Sequence, residues 1–143
     1  MKTFQSVDYL LFPYEVDDFE EREGDYIYHH LDGELRLIFQ DQTVLYFSWI
    51  NRPMTYSIGW SQKPHFNEGA LSPYNMSNSA FWKPFVGQPI TFEHFDKTHQ
   101  VVKLFCSYAE LFLSSQYEDG MFSGDCVRVS PTNPDAVSSA EPD

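Results

Sequence analysis

Cations are scarce in this chain. Nine Lys and Arg stand against 21 Asp and Glu, a formal net charge of −12 over 143 residues. Direct recognition of nucleic acid needs clustered cations facing the phosphates, and this balance argues against it. It argues equally against docking on an anionic membrane surface. Cysteine is almost absent, and Cys106 with Cys126 makes no disulfide framework. No apolar run approaches the length of a membrane-spanning helix, and Met1 to Asp8 contains no stretch suited to a signal peptide. The expectation is a cytoplasmic protein with reduced thiols.

Catalytic and cofactor signatures are missing too. There is no Gly-x-Ser-x-Gly elbow, no Gly-x-x-x-x-Gly-Lys-Ser/Thr phosphate loop and no Gly-x-Gly-x-x-Gly fingerprint. Both cysteines lie in apolar alternating runs, where an inert buried thiol is the usual outcome. The reading is a non-enzymatic protein with no cofactor.

What the chain does have is aromatic mass, 17% of residues with 13 Phe and 9 Tyr, which favours strands over helices. The organising stretch is Leu35 to Ile50, where two alternating runs flank the polar break Gln40-Asp41-Gln42-Thr43. Phe39, Leu45, Phe47 and Trp49 are the expected core floor. Tyr26 to Leu31 also reads as a strand, and Asp32-Gly33 as a hairpin turn joining it to the strand from Glu34. Those three strands would form a meander. Thr55 to Trp60, Ile90 to Phe95, Gln100 to Ser107, Glu110 to Ser115 and Cys126 to Ser130 add further strands, with Tyr9 to Phe12 a short one. Ser79 to Phe85 reads as one helical turn. The expected fold is mostly β, a single antiparallel barrel or curled sandwich of about eight strands with one short helical segment. Residues 1–130 would be one β-rich domain, and 131–143 a disordered acidic, Ser- and Pro-containing tail.

Three clusters could carry function. From Asp8 to Asp25 eight carboxylates face one cation, Arg22. Glu15, Asp17, Asp18, Glu20, Glu21, Glu23 and Asp25 are the candidate surface for a basic protein partner, because opposite potentials speed encounter. A solvated loop or short helix is the plain structural reading of that run. The alternative site is an aromatic-lined pocket for a small ligand at Trp60, His65, Phe81 and Trp82, beside the loop from Ser61 to Ser79. The third cluster, His94, Asp96 and His99, has a plausible metal-ligand composition but no supporting spacing, so no metal is expected. His29 and His30 are adjacent in a strand and point to opposite faces.

In composition alone, as a small acidic β-domain, the chain is similar to the bacterial immunity proteins that neutralise basic toxins. That likeness carries no site residues. The functional expectation is an acidic binding protein, with an immunity or inhibitor role its most concrete form.

Overall fold

A computed structural model describes residues 2–15, 19–24, 26–52, 55–66, 69–94, 100–118 and 121–133. In chain order its strands are β1 (Lys2–Leu11), β2 (Glu20–Glu23), β3 (Tyr26–Leu31), β4 (Glu34–Phe39), β5 (Val44–Arg52), β6 (Thr55–Ser61), β7 (Ser72–Asn75), β8 (Pro89–His94), β9 (Val101–Phe105), β10 (Glu110–Glu118) and β11 (Met121–Ser130). Among the described residues, two 3-10 turns, Pro13–Glu15 and Lys83–Phe85, are the helical content. The fold is mostly β, as the aromatic alternation implied.

All pairings are antiparallel, and the path runs β2-β3-β11-β10-β9-β8-β1-β4-β5-β6, with β7 joined to β1. The sheet is not closed, and β2 and β6 are the two ends of the path. It curls enough that β5 and β6 approach β11, and β6 also approaches β10.

β1 carries the core. Phe4, Val7, Tyr9 and Leu11 are fully buried, although the spacing from 4 to 7 breaks a strict alternation. A bulge after Phe4 restores it, since Phe4 pairs Phe39 while Ser6 pairs Ile38. Against them pack Leu35, Leu37, Phe39, Leu45 and Phe47, with Trp49 partly buried at the margin. The expected core floor is therefore the observed one. Burying each such side chain fully stabilises the fold by about 1.5–3 kcal/mol relative to exposure.

The expected meander is corrected. β4 and β5 do pair, but β3 does not pair with β4. β3 lies between β2 and β11, whereas β4 pairs β1, so Asp32-Gly33 links distant parts of the sheet. Two features hold this corner. The Glu15 carboxylate accepts backbone N–H bonds from Phe12 and Asp32. Gly33 lies so close to the Leu10 carbonyl that a Cβ there would stand 2.0 Å from its oxygen. An Asp-Gly hairpin turn and an Asp-Gly corner look alike in sequence, and the difference is made by partners 17 and 23 residues away.

Two further strands, β2 (Glu-Glu-Arg-Glu) and β7 (Ser-Pro-Tyr-Asn), lacked any apolar alternation to announce them. Both form because a longer strand offers a free edge: β3 for β2, and the C-terminal half of β1 for β7.

Candidate functional site

Tyr9 on β1 is the centre of a buried chain of polar side chains. The indole Nε1–H of Trp82 donates to the Tyr9 hydroxyl at 2.7 Å, and that hydroxyl lies 2.6 Å from Nδ1 of His29 on β3. An indole can only donate, so Tyr9 accepts from Trp82, and its own hydrogen finds an acceptor in Nδ1 when His29 is the neutral Nε2–H tautomer. In that tautomer the ring proton is on Nε2, which lies 3.5 Å from the Glu20 carboxylate. Burial pushes the His29 pKa below its ordinary value, against the opposing pull of Glu20. Burial likewise raises the Tyr9 pKa, so the phenol stays protonated. The arrangement is thus a neutral chain, Trp82 to Tyr9 to His29, ending at one carboxylate.

The elements that build it come from two separate stretches, residues 9–29 and 76–88. Register places Glu20 of β2 directly opposite His29 of β3, and Phe19 accepts the backbone N–H of His30. The segment from Met76 to Gln88 is pinned on β1 by four contacts. Met76 donates to the Val7 carbonyl and Gly87 to the Phe4 carbonyl, while Phe4 donates to the Gln88 carbonyl and Val7 to the Ser77 hydroxyl. Between those pins the Ser79 carbonyl accepts from both Trp82 and Lys83, a tight turn that sends Trp82 into the core and Phe81 over His29. Phe81 stacks on the imidazole at 4.3 Å, and Phe19 meets the same ring edge-on at 5.3 Å.

Beside these rings is a cavity of about 180 Å³, lined by Phe19, Glu20, His29, Met76, Ser79, Ala80 and Phe81. It runs from exposed Glu20, whose side chain is 72% accessible, to His29, which is 3% exposed. The Ser79 hydroxyl is buried with no hydrogen-bond partner among the described residues. Ala80 and Phe81 also line a broader groove of about 630 Å³ shared with Phe105, Cys106, Tyr108 and Leu111.

The residues singled out from sequence fall in several places. Glu20 and Glu21 are exposed on β2, the outermost strand at one end of the sheet, and Glu23 closes the same strand. Glu15 does not join them. It is 5% exposed with its carboxylate on two backbone N–H groups, and burial raises its pKa. Asp17, Asp18 and Asp25 lie outside the described residues. Where it is described, the run is a 3-10 turn at Pro13–Glu15 and a strand at Glu20–Glu23.

The four residues of the alternative pocket are not brought together. Trp82 is core at 1% exposure. Trp60 packs on Phe47, Phe92 and His94. His65 is held by Glu34, through its backbone N–H at 3.1 Å and Nδ1 at 2.9 Å. Only Phe81 lines the two cavities described above. His94 lies 2.9 Å from the Ile58 carbonyl through Nε2, while Asp96 and His99 lie outside the described residues. Among the described residues no group of three or more His, Cys, Asp or Glu is arranged around a metal position. Cys106 and Cys126 are unbridged, and burial pushes the Cys126 thiol up to about 11.

Sequence reasoning missed Tyr9, Phe19, His29 and Ser79 as members of one site. His29 was visible only as half of a His-His pair, and nothing local marks Tyr9, which is 73 residues from Trp82. Comparison with protein families, with curated proteins and with solved structures finds no match to this chain.

Proposed function

We propose that this chain is a non-enzymatic binding protein that meets a basic protein partner through its acidic edge strand β2. The observation that carries the reading is the placement of Glu20 and Glu21, both exposed, on the outer strand of the sheet in a chain of net charge −12. Charged side chains on an edge strand also discourage edge-to-edge association, and that protection is compatible with selective docking. An immunity or inhibitor role in the cytoplasm is the most concrete form of the reading. The curling of β5 and β6 over β11 supports a curled sandwich, with residues 1–130 as its single domain.

The test compares two double charge reversals of equal net change. Glu20→Lys with Glu21→Lys alters β2, whereas Glu93→Lys with Asp125→Lys alters exposed acids elsewhere. Each protein is titrated with a decalysine peptide at low and at physiological salt. The β2 reversal is expected to remove most of the affinity and flatten the salt dependence, and the control reversal to leave most of both. Equal losses in the two variants would assign binding to diffuse net charge and defeat the reading.

A further inference from the structure

We infer that the cavity between Phe19, Glu20, His29 and Phe81 receives the ammonium group of a lysine side chain from the basic partner. The inference rests on the β2 docking reading and names what the partner inserts. An ammonium brings three N–H donors and one positive charge. The cavity offers matching groups, the Glu20 carboxylate at the rim and two aromatic rings, and its wall includes Ser79, whose buried hydroxyl has no hydrogen-bond partner among the described residues. Aromatic faces attract cations through the ring quadrupole, more strongly as water is excluded. Phe81 and Phe19 are already fixed by their contacts with His29, so little ordering is required of them on binding.

The surroundings of His29 supply the electrostatics. Burial between Phe81 and Phe19 favours the neutral form of His29, so the ring does not cancel the charge of Glu20. Its Nε2–H is a donor directed toward the carboxylate and is no metal ligand in that state. An anion would be repelled by the Glu20 charge, and an apolar group would draw nothing from it. A lysine side chain answers the charge, and its apolar stem suits the walls formed by Met76, Ala80 and Phe81.

The experiment is a titration of the full chain with Nα-acetyl-lysine methylamide, followed by NMR of the His29 ring, the Ser79 amide and the Phe81 ring. The neutral Nε-acetylated analogue is the control probe. The charged probe is expected to shift those three signals and the neutral analogue to leave them unmoved. Glu20→Gln should weaken binding about fivefold or more, and Phe81→Leu, which keeps apolar bulk but removes the ring, about threefold or more. Glu93→Gln should have no effect. Glu20→Gln alters an exposed side chain and decides the matter even where Phe81→Leu loosens the fold. Equal binding of the two probes, no shift at His29, or unchanged affinity in both cavity variants would each overturn the inference. Decalysine binding that depends on β2 but is indifferent to Phe81→Leu removes the cavity and leaves the docking reading standing. A cavity that binds the lysine probe, in a protein whose decalysine affinity is unchanged by Glu21→Lys alone, does the opposite.

Discussion

Glu34 at the start of β4 and Glu20 at the start of β2 are the same side chain in opposite circumstances. Glu34 is fully buried and accepts from the backbone N–H groups of His65 and Phe66 and from the His65 ring, which ties the loop after β6 to the sheet. Glu20 is mostly exposed, approached at 3.5 Å by a neutral imidazole. A buried carboxylate is held because removing it strands its donors. An exposed one on an edge strand contributes little to stability and is free for recognition. Glu15 belongs with Glu34 in this comparison, since it closes the corner at Asp32. An acidic chain is therefore not uniformly acidic in use: some of its carboxylates build the fold, and others face outward.

The sharpest way to break the comparison is to delete the buried member. Glu34→Ala leaves two backbone N–H groups and a ring nitrogen without their acceptor, and is expected to destabilise the protein by about 3 kcal/mol. Urea unfolding measures this, and a loss below about 1 kcal/mol would show that the loop anchor is dispensable.

His29, which touches both settings, gives an intermediate effect that depends on pH. Its folded pKa is lowered by burial, so below about pH 6.5 the unfolded chain takes up a proton that the folded protein resists. The associated stability is present above that pH and is lost as pH falls toward the lowered folded value, by at most about 1.4 kcal/mol per pH unit. Replacing His29 by Gln removes this contribution. The difference in unfolding free energy between wild type and variant should therefore change as pH falls below about 6.5. A difference constant across that range would mean that His29 titrates normally.

The smallest effect is expected at the exposed members. Glu20→Gln and Glu21→Gln should each change stability by no more than about 0.5 kcal/mol. A thermal shift corresponding to more than about 1 kcal/mol would move Glu20 into the structural class and weaken its assignment to recognition.

The strands that alternate apolar and polar residues were legible, because a half-buried strand writes its face into its own sequence. Tyr26 to Leu31 has the same limits in sequence and structure, and Glu34, Val44 and Thr55 begin their strands within a residue of expectation. β2 and β7 were not legible. Glu-Glu-Arg-Glu at 20–23 and Ser-Pro-Tyr-Asn at 72–75 carry no periodic signal, and each becomes a strand by completing hydrogen bonds along a neighbour. Phe81 was singled out from its place beside an irregular loop. Trp82, adjacent to it, was grouped with it but turns the other way, because the turn at Ser79 directs consecutive side chains to different sides.

By itself the sequence determined the mostly β character, the core floor on β4 and β5, and the excess of negative charge. All three follow from local periodicity and composition. Only the tertiary structure decided that β3 leaves β4 for β11, that Glu15 and Glu34 point inward, and that Tyr9, His29 and Trp82 share hydrogen bonds beside a cavity. Those outcomes depend on pairing between residues 17 to 103 positions apart, from Asp32 on Glu15 to the Ser130 hydroxyl on the Ile27 carbonyl. Long-range pairing is selected by the joint satisfaction of buried polar groups and apolar faces, which no single segment encodes.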